Sequence, residues 1–169
     1  MNAKLKHLDS ETKVLESPQD HKDELRLWLR LLTCTNLIEA AIRKRLGENF
    51  DTTLPRFDLL AQLERAPEGM TLGDLSRRMM VTNGNVTGLV ARLAQGGLIK
   101  RFALPTDRRV QIVKLTPKGH AHFNRIAGAH QEWIAGLFGR LSPRDVADLL
   151  RSLGKLKDSV KTADGTVKP

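Results

Sequence analysis

The sequence predicts a mainly α-helical fold with a small β-wing, on three observations. Apolar residues recur at helical spacing through most of the 169-residue chain. Two strand-like stretches interrupt that pattern and are joined by Pro105-Thr106-Asp107-Arg108-Arg109. Positive charge gathers around them: residues 71–118 hold nine Lys and Arg against two Asp, a formal +7 where the whole chain has +9. Charge concentrated on paired short helices and a hairpin points to a phosphate backbone as partner.

The elements follow in order. Residues 1–21 mix Lys, Asp, Ser and Glu without periodicity, and Ser17-Pro18 breaks any helix, so a flexible N-terminal arm is expected. Over 22–46, Leu25, Trp28, Leu29, Leu32, Leu37, Ile38 and Ile42 keep helical spacing across a wide arc, which implies burial on more than one side. Gly47 is expected to end this helix. Thr53 and Pro55 open a second helix whose inner face is Phe57, Leu59, Leu60 and Leu63.

Ala66-Pro67-Glu68-Gly69 reads as a loop. Thr71, with Asp74 three residues on, forms a capping box for a short helix to about Met79, with Leu72, Leu75 and Met79 inward. Met80-Val81 makes the turn. Thr82 caps a helix through Gln95, stopped by Gly96-Gly97. Strands are expected over 98–102 and 110–115. Thr116-Pro117 and Ser142-Pro143 each pair a cap with proline at the first helical position. They open a long helix to about Arg140 and a last one striped by Val146, Leu149, Leu150, Leu153, Leu156 and Val160, with a flexible tail from 162.

Composition closes off other classes. No run of about 20 apolar residues exists, so no membrane span is expected. The early residues lack an apolar signal region, and a single cysteine, Cys34, fits a reducing cytoplasm. Five Phe, two Trp and no Tyr disfavour a base-stacking platform and favour duplex DNA. No glycine-rich phosphate loop, nucleophile elbow, metal motif or carboxylate pair is apparent, so an enzyme is not expected, nor a metal or cofactor. His120 and His122 are two apart and do not share a helical face. Cys34 has uncharged neighbours and reads as a buried structural residue.

The order of elements is that of a winged helix–turn–helix with extra helices at both ends. Here the sequence resembles the MarR family of bacterial transcriptional regulators. The likeness is carried by Leu72-x-x-Leu75-Ser76, by Val86-x-x-Leu89-Val90-x-x-Leu93, by Gly97-Leu98-Ile99-x-Arg101, and by Asp107-Arg108-Arg109 followed by Leu115-Thr116-Pro117-Lys118-Gly119. It spans 22–161, with the winged domain at about 53–118 and N- and C-terminal dimerisation helices at 22–46 and 117–161. The resemblance implies a homodimer on a pseudo-palindromic operator, most simply a repressor.

The N-terminal residues of the second helix of the motif would then meet base edges in the major groove: Thr82, Asn83, Asn85, Val86 and Thr87. Arg77, Arg78 and Arg92 are expected on phosphates, with Lys100, Arg101 and Lys114 as further candidates, the competing reading of each being a solvated charge. By the family pattern one of Arg108 and Arg109 enters the minor groove, and the other is tied to Asp107. The resemblance also implies a small aromatic anion or aryl-coenzyme A thioester as effector, lined by Trp28, Leu32, Asn36, Arg56, Phe57 and Phe123; Trp28 and Phe57 read equally well as core. The alternative to a DNA reader is a helical protein–protein adaptor that uses the winged domain for docking.

Overall fold

The computed structural model describes residues 22–104 and 107–163, with side chains for 23–103 and 110–163. The expected arm, most of the expected tail and the tip of the hairpin lie outside them, as do the side chains of Arg108 and Arg109. The elements run α1 (Lys22–Phe50), α2 (Leu54–Glu64), β1 (Met70–Thr71), α3 (Leu72–Met79), α4 (Asn83–Gln95), β2 (Ile99–Leu104), β3 (Asp107–Leu115), α5 (Pro117–Leu137) and α6 (Pro143–Ala163). The chain divides into two compact units, one ending at His130 and one starting at Gln131.

α1 continues through Gly47 to Phe50, past the expected stop. A helical glycine costs about 1 kcal/mol relative to alanine. The buried Ile42 and Leu46 hold the preceding turns, and Asn49 Nδ2 donates to the Arg45 carbonyl at 2.8 Å. The stop comes instead at Asp51, whose φ of 47° is left-handed. Cys34 is exposed rather than buried, because the wide apolar arc of α1 is not covered by the described residues.

The first unit is built around one apolar cluster. Leu59, Leu60 and Leu63 of α2, Leu75 of α3 and Val86, Val90 and Leu93 of α4 close on Ile99 of β2 and Val113 of β3. α3 starts on the expected cap: Thr71 Oγ1 accepts from the Asp74 N–H at 3.1 Å and donates to its carboxylate at 2.6 Å. The hydrogen bond from the Thr71 hydroxyl, and next the one from Arg77, hold the Asp74 pKa below its ordinary value.

The wing is a three-stranded antiparallel sheet in the order β1-β3-β2. Sequence pattern gave no hint of β1, since two residues have no alternation to show. Met70 pairs with Val113, and Gly69 (φ 84°) makes the approach possible, because a β-carbon there would meet Ile112 and the Val113 carbonyl. β2 and β3 pair from Ile99↔Leu115 to Ala103↔Gln111, then shift register at Leu104. Both strands outrun the expected hairpin towards its tip.

One junction ties this sheet to the neighbouring helix ends. Thr116 Oγ1 donates to the Gly97 carbonyl at 2.8 Å and accepts the Gly119 N–H at 3.0 Å, capping α5. Thr116 N–H reaches the Leu98 carbonyl at 3.0 Å, and Lys118 Nζ the Gly96 carbonyl at 2.9 Å.

In the second unit α5 ends at Leu137, three residues early, and Ser142 caps α6 by exchanging hydrogen bonds with Asp145. None of the residues of α6 is buried, and Val146, Leu149, Leu150 and Leu153 of the expected stripe are exposed.

The junction supplies a test. A β-carbon on Gly119 would run into the Leu98 carbonyl oxygen, whereas Gly128, also on α5, has open space around it. Gly119→Ala is expected to cost about 1–3 kcal/mol and Gly128→Ala to be neutral or to add up to about 1 kcal/mol. Urea unfolding of the two variants checks the contrast.

Candidate nucleic-acid interface

α4 offers one face to the core and the other to solvent. Val86, at 0 % exposure, heads the buried stripe with Val90 and Leu93. It cannot reach a base edge, which corrects its expected place among the reading residues; at i, i+3, i+4 and i+7 with Leu89, Val90 and Leu93 it is a core position. Thr82, Asn83, Asn85 and Thr87 are exposed, as are Gly84, Gly88, Ala91, Arg92 and Gln95.

Thr82 is the N-cap, its hydroxyl accepting from the Asn85 N–H at 3.4 Å. Thr87 Oγ1 donates to the Asn83 carbonyl at 2.9 Å, so its proton is used within the helix and its oxygen lone pairs and methyl remain outward. The Asn83 and Asn85 amides have no side-chain partner among the described residues, and each can pair bidentately with adenine. Nothing lies within 4 Å of a β-carbon at Gly84 or Gly88. The outward face is therefore thin, and a helix with such a face can approach a groove floor closely. The unsatisfied N–H groups at its start favour phosphate there as well.

The cations differ in freedom. Arg77 is engaged by Asp74 and Lys114 by Glu68, at 3.2 Å for the second pair. Arg78, Arg92, Lys100 and Arg101 are exposed with no ion pair among the described residues. Arg108 and Arg109 fall on the backbone of β3.

Of the expected effector residues the structure brings Phe57 and Phe123 into ring contact. Trp28, at 57 % exposure, Leu32 and Asn36 stand on the exposed length of α1. Phe57 is buried, its ring stacked on Phe123 at 5.7 Å and packed on His130 at 4.9 Å, so it fills core rather than lining a cavity. Arg56, next to it, does line a cleft of about 410 Å3. The other walls are Phe50, Asp51 and Thr52 after α1, Arg92, Leu93, Gln95, Gly96 and Leu98 around the end of α4, and His122 of α5. Burial pushes the His122 pKa below 6.5, and the charges of Arg125 and Lys118 push it the same way. Of these only Arg56 is expected at an effector site from the sequence, Arg92 being expected on phosphate and His122 not on a metal; residues 50, 92 and 122 are too far apart in the chain for spacing to join them. Among the described residues no group of three or more His, Cys, Asp or Glu is arranged to hold a metal. No helix there is long and apolar enough to cross a membrane.

A short cap-led helix with polar residues at its exposed start, beside a charged wing, defines a winged helix–turn–helix DNA-binding protein. Residues 52–110 match the model of the MarR family. The chain is 30 % identical to the transcriptional activatory protein BadR of Rhodopseudomonas palustris over 154 residues, covering 88 % of this chain and 87 % of that one. A MarR family transcriptional regulator from Silicibacter pomeroyi superposes with a TM-score of 0.73 at 30 % identity, over 85 % of this chain and 99 % of the other. A mutant MarR from E. coli, crystallised with operator DNA, gives 0.70 at 26 % identity over 82 % and 99 %. The chain belongs to the MarR family, and it is a DNA-binding transcription regulator.

The contrast between cations gives a prediction. Arg78→Ala is expected to weaken binding to all duplexes alike and to lower the slope of log affinity against log salt by about one. Arg77→Ala, removing a cation already engaged by Asp74, should change the slope less. Fluorescence anisotropy across a salt series measures both.

Proposed function

We propose that the protein is a homodimeric, sequence-specific repressor that leaves its operator when a small carboxylate with an apolar body enters the cleft beside α4. The observation that carries the effector reading is the position of Arg92. It belongs to α4, has no ion pair among the described residues, and lines the same cleft as Arg56 and His122. A carboxylate held by Arg56 and Arg92 would compete with DNA phosphate for the second arginine. Phe50, Leu93 and Leu98 offer apolar wall, and Asp51 offers a hydrogen-bond acceptor. The cleft has room for an aryl carboxylate.

Dimerisation is supported by unpartnered apolar surface. Leu25, Leu27, Trp28 and Leu37 are exposed on α1, and the exposed stripe of α6 is its counterpart in the second unit. Surface of this kind, rimmed by charge, marks an interface. A two-fold dimer carries two copies of α4 and so calls for two half-sites about one helical turn apart. Blocking a promoter requires only occupancy, which favours repression. The Rhodopseudomonas relative is described as activatory, so the sign of the effect is to be read from a promoter fusion.

Titrating aryl carboxylates into the protein–operator complex tests the effector reading. Release by one of them is expected, and Arg56→Ala should raise the concentration needed by at least about tenfold, the loss of one charge-assisted pair. Failure of every small carboxylate to release the complex would count against it. Proton linkage gives a second check. With its pKa held below 6.5, His122 is mostly neutral at pH 7 and gains charge as pH falls through that depressed value. Affinity for the anion, measured without DNA, is therefore expected to rise as pH drops below 6.5, and His122→Gln should flatten the rise.

A further inference from the structure

Met80 stands in the turn between α3 and α4 and is 93 % exposed, more than any other large apolar residue described. Its backbone is left-handed, with φ 55° and ψ 38°. In that conformation a β-carbon crowds the following carbonyl, and glycine avoids the crowding. The turn is fixed without help from the side chain. The Met80 N–H bonds to the Arg77 and Ser76 carbonyls. Val81 N–H reaches the Ser76 carbonyl at 3.2 Å, and Ser76 Oγ donates to the Val81 carbonyl at 2.5 Å. A glycine at position 80 would keep every one of these bonds.

The side chain therefore has two costs, left-handed strain and apolar surface in water, with no compensating burial among the described residues. A contact with a binding partner would offset them. Thr82, the cap of α4, is two residues on, and Arg77 and Arg78 are just before, so Met80 is continuous with the surface that meets DNA.

We propose that Met80 is a DNA-contacting residue, its thioether lying against the apolar surface of the duplex at the edge of the groove that α4 enters. That surface is made of deoxyribose rings and thymine methyl groups. A methionine suits it, being unbranched, polarizable and able to follow an irregular wall. Apolar contact with a thymine methyl carries sequence information, and contact with sugars carries none. The proposal rests on the DNA-binding reading, and wild-type binding to an operator selected from random duplexes is the control that separates the two.

The test compares Met80→Gly and Met80→Gln with wild type for unfolding midpoint and operator affinity over a salt series. Met80→Gly is expected to raise the midpoint, because it relieves the strain, yet to weaken operator binding roughly tenfold. Met80→Gln keeps the β-carbon and the length but not the apolar surface, and should lose affinity similarly. In both, the salt slope should stay that of wild type, since no phosphate contact is removed. Replacing operator thymines by uracil assigns the contact: a loss in wild type but not in Met80→Gly indicates a methyl group, and no loss indicates sugar. Full operator affinity in Met80→Gly overturns the proposal while leaving the DNA reading intact. Loss in Met80→Gly with none in Met80→Gln also overturns it, by tracing the effect to a looser turn. Absence of any wild-type binding removes both readings.

Discussion

The burial of a single stripe of α4 is the constraint on which the rest of this structure depends. Val86, Val90 and Leu93 are packed among Leu59, Leu60, Leu63, Leu75, Ile99 and Val113. Each of these side chains removes apolar surface worth about 1.5–3 kcal/mol from water, so rotating α4 about its axis would sacrifice several at once. With the inner face fixed, the outer face follows. The polar residues at the start, the small residues Gly84, Gly88 and Ala91 along the middle and Arg92 near the end all point to solvent. A reader built this way depends on groups at the helix start and on close backbone approach, more than on long side chains along the helix.

The same packing sets what α4 can feel. Its last turn runs into Gly96 and Gly97, whose carbonyls are held by Lys118 and Thr116 at the head of α5. The wing strands leave from that point and return to it. Phe50, Arg56, Arg92 and His122 therefore border one cleft although they come from four helices. Under the proposed function, a ligand there would touch α4 directly, and a route from effector to operator would need no relay through the core.

Much of this was readable from the chain, for identifiable reasons. Thr71 with Asp74 closes a cap through local bonds three residues apart, and proline after Thr116 and Ser142 marks the starts of α5 and α6. Such signals need no tertiary context. The misreadings share the opposite property. Gly47 lost to packing of Ile42 and Leu46 by other elements. β1 exists only because β3 pairs with it. Val86 was placed on the reading face by its position in the motif, although its own apolar period assigned it to the core. The exposure of Cys34 and Trp28 reflects an apolar arc that the described residues leave uncovered, and the cleft joins segments some forty and thirty residues apart, beyond any pattern of spacing.

The central claim is that the exposed start of α4 reads base sequence. The most direct measurement is selection from random duplexes at two salt concentrations, with sequencing of what is retained. One A·T-flanked pseudo-palindrome is expected, with half-sites about one helical turn apart, enriched at both concentrations and held less tightly at the higher. Retention that falls with salt but enriches no sequence would contradict it, leaving α4 a positively charged surface rather than a reader.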